Sequence, residues 1–409
     1  MAGTTPGPED EARAAGRLVA DALTGLTRAV QASHRDLSGA VDRIVADGAH
    51  TWRPLSATST AGVYGVVTAA NRLAPRAVTE FVAVTGWAQV LAPSQTRRGR
   101  AVLAAVNGLW SPLVEANPEL SITMAVRVAH SDVALDADSV AAAFPGATGD
   151  LVVFVHGLAQ DEDSWKRPAA GQGDGYGARL CADHGMTPVY VRYSTGRRVH
   201  HNGRDLADLL DALASSWPVR VRAITLVAHS MGGLVAVAAV QQALERQSVW
   251  ADLLRLVVTL GTPYHGSPMA RALRDVNEAL ARTPVLGPLI EWIRVRTDGG
   301  GDLCSVTPLT VKPLTVNPLT AASSADGAPT TPRIPAVTAV SASLGGAADH
   351  RLGRLVGDGL VPVASAQAGD VTDLAVDTIH VNRAGHFDLL NHPAVYEHIS
   401  MMVAGSAAP

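Results

Sequence analysis

The chain has 409 residues, of which 47% are hydrophobic, 17% charged and 4% aromatic, with a formal net charge of −4. It can bury a full core and exceeds the roughly 200 to 250 residues that one large domain needs, so an accessory segment is expected. The charge balance offers no electrostatic case for nucleic acid. The two cysteines, Cys181 and Cys304, form no CxxC pair and sit in no His-rich spacing, so reduced thiols are expected, and neither a metal nor a cofactor.

In chain order, the first residues, MAGTTPGPEDEARAAGR, have neither a basic start with an apolar run behind it nor a cleavage site. No signal peptide is expected from them, and a cytoplasmic location is. Over residues 17–41 apolar positions recur at Val19, Leu23, Leu26, Val30, Leu37 and Val41, a helical stripe with charges between. Further helical stretches cover 62–90 and 100–109, the latter stopping before Pro112. Residues 1–120 thus read as a helical N-terminal extension that packs on something else. The alternative is peripheral membrane contact through a surface helix, for which the basic face is weak.

From Ser121 the pattern changes to short β-branched runs alternating with helices. That order argues for an α/β domain over 121–409, with a mostly parallel sheet covered by helices on both faces. Strands are expected at 122–128, 151–155, 188–193, 224–228, 254–260, 337–341 and 378–381, with a helix at 203–215 carrying Leu206, Leu209, Leu210 and Leu213 on one face. The stretch 223–244 is apolar enough to suggest a membrane span, but His229, Ser230 and two glycines interrupt it, so it reads as a buried strand entering a buried helix. Residues 267–335 read as a cap or lid insertion. Within it, Val285, Leu286, Leu289, Ile290 and Ile293 share a helical face, and Leu286, Leu289, Ile290 and Ile293 are candidates for contact with an apolar substrate group. The run PLTVK, PLTVN, PLTAA and the Ser, Ala, Gly and Pro-rich tract behind it cannot be helical and read as a flexible surface insertion.

The sharpest chemical signal is Ala228-His229-Ser230-Met231-Gly232-Gly233, where a strongly apolar strand meets an apolar helix. It has the form of a nucleophile elbow: a serine on a strained turn, tiny residues two positions either side, and a helix-start N–H at Met231 facing the reacting oxygen. Carbonyl attack creates an oxyanion that needs a second backbone donor. The apolar strand Leu151 to Val155 runs into His156-Gly157-Leu158, so the Leu158 N–H is the candidate, with His156 fixing the loop rather than acting as a base. The serine also needs a base. His386, in Gly385-His386-Phe387-Asp388, follows the last expected strand, where a loop can carry an imidazole over the elbow. His229 is expected to point away into the fold and His265 to be structural or pocket-lining, while His200, His201, His350, His380 and His392 lack comparable placement. The imidazole in turn needs a carboxylate. Asp358, between Gly357 and Gly359 after the penultimate strand, is chosen over Asp349 and Asp388.

The stretches VVFVHGL, TPVYVRYSTGRRVHHNGRDLADLL, LVAHSMGGLV, LGTPYHGSP, GDGLVPVASA and GHFDLLNHPAVYE, in this order over residues 151–400, resemble the bacterial esterase and lipase branch related to eukaryotic GPI inositol-deacylases, within the lipase-like α/β-hydrolases. The resemblance implies an α/β-hydrolase fold, a Ser230–Asp358–His386 triad, the same oxyanion roles for Leu158 and Met231, and a familial helical extension. Where such proteins carry a more conventional chain after Asp302-Leu303, this one has the PLTV repeats, which bear on pocket shape and substrate. The expected activity is hydrolysis of a small-molecule or lipid ester with an apolar acyl group through an acyl-serine. The alternatives are acyl transfer by the same residues and a non-catalytic binding protein on a hydrolase fold, against which an intact triad counts.

Overall fold

A computed structural model describes residues 117–166, 174–265, 336–345, 357–367 and 376–406, and before them 96–109 and positions 7, 10–12, 14, 94 and 114. The expected helices at 17–41 and 62–90, the cap stripe with Leu286, Leu289, Ile290 and Ile293, the repeat tract and Asp349 lie outside the described residues. The chain divides into two compact units, Met1–Ser121 with Ala272–Arg296, and Ile122–Arg271 with Thr297–Pro409.

In the first unit, α1 (Arg97–Leu109) opens with the Thr96 hydroxyl accepting from Gly99 N–H at 3.0 Å, a side-chain cap for a donor that the helix itself leaves unmet. Near its other end the buried Asn107 amide donates to the carbonyls of Leu103 and Leu120, tying the helix to the short turn Pro118–Leu120.

The second unit runs β1 (Ala125–Val128), β2 (Ser131–Val133), α2 (Ala137–Ala143), β3 (Asp150–Val155), α3 (Tyr176–His184), β4 (Thr187–Arg192), α4 (Val199–Ser216), β5 (Ala223–His229), α5 (Met231–Arg246), α6 (Val249–Leu253), β6 (Leu254–Leu260), β7 (Ala336–Ser343), α7 (Val363–Ala366), β8 (Val376–Asn382) and α8 (Pro393–Ser406). Among the described residues the eight strands form one sheet, ordered β2-β1-β4-β3-β5-β6-β7-β8. From β4 across to β8 neighbours are parallel, and β1 is antiparallel to both β2 and β4. This is an α/β-hydrolase fold.

Its strands are apolar on both faces because both faces are covered. Leu151, Val153 and Val155 of β3 join one core with Leu206, Leu210 and Leu213 of α4 and Leu234 and Val235 of α5. Val152 and Phe154 join the other with Leu180 of α3 and Val395, Ile399 and Val403 of α8. The chain winds outward from β3 to β4 and then back past β3 to β5, so the order reverses beside β3. The crevice outside the carboxyl ends of strands at such a reversal is where ligands bind in open α/β sheets.

The expected strands are present with ends shifted by at most two residues, and β6 coincides with its expected span, except that β1 begins at Ala125 rather than at 122, because its ladder with β4 starts there. The hairpin strand β2 and the helices α2 and α3 have no counterpart among the elements expected from sequence. Each is short, and α3 commits only Tyr176, Gly177 and Leu180 to the core, too few for a periodic stripe. The apolar stretch 223–244 divides at Ser230 into β5 and α5, and among the described residues no helix is long and apolar enough to cross a membrane.

Candidate active site

β5 ends at His229 and α5 begins at Met231, leaving Ser230 alone at the corner with φ 53° and ψ −125°. A non-glycine residue in such a conformation costs on the order of 1–3 kcal/mol and persists only where its surroundings hold it. Here Ser230 N–H donates to the Leu260 carbonyl at 2.8 Å, and the Ser230 carbonyl accepts from Gly233 N–H and from the Thr262 hydroxyl, both at 3.0 Å. The glycines behind the corner are required by space. A Cβ on Gly232 would stand 2.5 Å from the Val155 and His156 carbonyl oxygens, and one on Gly233 would stand 2.0 Å from Thr262 Oγ1. As the first residue of α5, Met231 has an N–H that no carbonyl of its own helix can meet, at the positive end of the helix dipole.

The loop after β3 lies against this corner, since a Cβ on Gly157 would come within 3.0 Å of Ser230 Cβ. Its amides are tied down one by one. Gly157 N–H donates to Gln160 Oε1 at 2.9 Å, Ala159 N–H to Thr195 Oγ1 at 3.0 Å, and Gln160 N–H to the Gly157 carbonyl at 3.2 Å. Of residues 157–160, only Leu158 has an N–H with no acceptor among the described residues. His156 is wholly buried: its Nδ1 lies 3.0 Å from the Gly157 carbonyl, Tyr193 stacks on its ring, and the Tyr193 hydroxyl donates to its carbonyl at 2.8 Å. Burial pulls its pKa down to about 4, so the ring is neutral near pH 7 and serves as a fixture of the loop.

Behind β7 and β8 the backbone is laced together past the strand ends. Leu344 N–H donates to the Gly357 carbonyl at 3.0 Å, Ala384 N–H to Ser343 at 3.0 Å, and His386 N–H to Asp358 at 2.9 Å. This lacing brings the Asp358 and His386 side chains together, with His386 Nδ1 2.7 Å from Asp358 Oδ2 and both residues buried. The other carboxylate oxygen, Oδ1, accepts from the Leu360 and Val361 amides at 3.0 and 2.8 Å, so the acid is held rigidly by its own turn. Of the competing acids, Asp388 caps the turn before it by accepting from Gly385 N–H at 2.7 Å.

His350 lies outside the described residues, and other described histidines are placed elsewhere. His380 sits between the Ser341 and Ser343 hydroxyls, 3.0 Å from each, and His200 and His201 are exposed on α4. His229 is fully buried, but its ring lies 4.6 Å from that of His386, beneath the loop that carries it. Around the pair, Leu344, Leu360 and Phe387 expose 56%, 38% and 50% of their surface, an apolar rim at a polar site.

Sequence reasoning passed over Gly261, Gln160 and the apolar rim. Gly261 adopts φ +58°, and a Cβ there would stand 2.9 Å from Asp358 Oδ2 and 3.1 Å from His386 Nδ1. Its place in Leu260-Gly261-Thr262-Pro263 at the end of an apolar strand was the available signal. Gln160 had none, being one polar residue in a polar loop. Among the described residues no cluster of three or more His, Cys, Asp or Glu could hold a metal ion.

A family model described as the alpha/beta hydrolase family matches residues 152–398. The chain is similar in structure to a Bacillus licheniformis lipase in its mature form, 17% identical over 68% of this chain and 96% of that one, with a TM-score of 0.41. It is also similar to a thermophilic esterase from Thermogutta terrifontis, 18% identical over 64% and 92% of the two chains, with a TM-score of 0.36. A third similar structure is the RedJ thioesterase of the prodiginine pathway in Streptomyces coelicolor, 16% identical over 63% and 88%, with a TM-score of 0.36. No curated protein matches the chain.

Proposed function

This chain belongs to the alpha/beta hydrolase family, and from that premise we propose that it is a serine hydrolase that cleaves carboxylic esters with an apolar acyl group. The observation that carries this reading is the His386–Asp358 pair at 2.7 Å, at the same end of the sheet as a serine in a strained strand-to-helix corner.

In the proposed reaction Ser230 Oγ attacks the ester carbonyl carbon while His386 Nε2 takes the hydroxyl proton. Asp358 keeps the proton of the neutral ring on Nδ1 and stabilises the imidazolium that forms. The carbonyl oxygen becomes an oxyanion between the Met231 and Leu158 amides. Collapse expels the alcohol, which leaves with the proton from His386. Water then enters, gives its proton to His386 and attacks the acyl-serine, releasing the acid and restoring Ser230. Support for an apolar acyl group comes from the exposed Leu344, Leu360 and Phe387, and from the stripe Leu286, Leu289, Ile290 and Ile293 in the expected cap.

Labelling with a fluorophosphonate tests the reading. The probe is expected on Ser230 by peptide mapping, and Ser230→Ala should abolish both labelling and turnover of p-nitrophenyl butyrate while keeping the parent's circular dichroism. A label on another serine, or none on folded parent protein, overturns it.

A further inference from the structure

We propose that Gln160 and His229 are positioning residues that form a strut between the loop carrying Leu158 and the loop carrying His386, so that oxyanion donor and base keep one spacing about Ser230. The catalytic consequence of this strut rests on the ester-hydrolase reading; its mechanical consequence does not.

His229 is the last residue of β5, and strand geometry turns its side chain away from the Ser230 corner into the space between the two loops. Its Nε2–H donates to the backbone carbonyl of His386 at 3.0 Å. The His386 N–H is already held by Asp358 at 2.9 Å, so both backbone groups of the base are fixed. On the opposite side of the ring, Nδ1 lies 3.3 Å from Gln160 Oε1, the same oxygen that accepts the Gly157 N–H at 2.9 Å.

Both ring nitrogens thus face oxygen. Nε2, facing a carbonyl that can only accept, carries the proton of the shorter bond, to His386, while Nδ1 stays in contact with the Gln160 amide at 3.3 Å. The amide itself is held by Gly157. The backbone of the oxyanion loop rests on the same ring, since a Cβ on Gly157 would stand 3.1 Å from His229 Nδ1. Trp165, itself buried, meets the ring edge-on at 6.4 Å, and the half-exposed Phe387 lies at 6.1 Å.

Such a wedge transmits displacement between groups that do not touch one another. Among the described residues no hydrogen bond joins Gln160 directly to the 383–389 loop, and its link to that loop runs through His229. Removing either member lets donor and base drift independently, and misplacement by about 1 Å costs on the order of 10²-fold in rate.

Hydrogen exchange and steady-state kinetics on the full chain decide the matter, with Gln160→Ala, His229→Ala, His229→Gln and the double alanine variant. Gln160→Ala is expected to speed amide exchange in residues 383–389 as well as in 156–161. His229→Ala should speed both. Both single alanine variants should lower kcat on p-nitrophenyl butyrate on the order of 10- to 100-fold, with KM within about twofold of the parent. His229→Gln, which keeps a donor near the Nε2 position, should recover most of the loss, and the double variant should lose no more than His229→Ala alone. Faster exchange in 156–161 only after Gln160→Ala, or losses that multiply in the double variant, overturns the strut. If His229→Ala does not fold, Gln160→Ala and His229→Gln carry the test. If the folded parent neither labels at Ser230 nor turns over esters, the ester-hydrolase reading falls and the exchange pattern alone decides the strut.

Discussion

Replacing Gly261 by alanine puts one methyl group against the proposed acid and base without altering any polar atom. The residue sits at φ +58°, where a side chain costs about 1–2 kcal/mol of backbone strain. The new Cβ would stand 2.9 Å from Asp358 Oδ2 and 3.1 Å from His386 Nδ1, inside the roughly 3.5 Å of an ordinary nonbonded contact. The pair, or the end of β6, must therefore move by about half an ångström. Asp358 is held by two backbone amides and His386 by Asp358 and His229, so the motion falls on the 2.7 Å bond between them. The expected result is a loss of about 1–2 kcal/mol in stability, and a fall in kcat on the order of 10- to 100-fold. Chemical denaturation and p-nitrophenyl butyrate kinetics measure the two. Gly345→Ala, whose Cβ would meet nothing within 4 Å, serves as the control and should change neither by much. An unchanged kcat for Gly261→Ala in a folded protein would refute the claim that the Asp358–His386 contact sets the rate.

Asp358→Asn should lower kcat on the order of 10⁴-fold with little change in KM, whereas Asp388→Asn should cost much less; if the two trade effects, the acid has been misassigned. His156 is neutral in the fold because burial pulls its pKa from 6.5 to about 4, while the unfolded chain takes up a proton near 6.5. Its contribution is constant above about pH 6.5 and is lost as pH falls from there towards 4, about 3 kcal/mol in all at about 1.4 kcal/mol per pH unit. Urea midpoints against pH should accordingly fall less steeply for His156→Asn than for the parent over that window, and equal slopes would refute the buried-neutral assignment. Replacing Leu289 or Ile290 by Ala should depress kcat/KM for a long-chain ester far more than for an acetate ester, at roughly 0.8 kcal/mol per buried methylene. Equal losses on both esters, or a large fall in melting temperature, would assign that stripe to core packing.

What could be read along the chain was whatever rests on local geometry. Apolar runs four to seven residues long between turn residues located β3, β5 and β6 to within a residue or two, because strands buried on both faces need no partner to be recognised. Ser230 was legible for the same reason: a strand, one strained residue, a helix and two glycines form a single local pattern. The short elements β2, α2 and α3 were not, since each buries too little of itself to leave a periodic trace.

Tertiary structure decided how distant loops meet. Asp358 and His386 are 28 residues apart, and their 2.7 Å contact depends on the register of β7 against β8 and on the backbone lacing beyond the strand ends. Sequence placed His229 inside the fold but could not say against what; the sheet order sets it beneath the His386 loop and beside Gln160, 69 residues earlier. Gly261 is required by the two side chains that approach it as much as by its own φ of +58°. Hydrophobic periodicity records which face of an element is buried, and loop-to-loop contacts at the carboxyl ends of non-neighbouring strands leave no mark in it, because they are set by strand order and register rather than by any one segment.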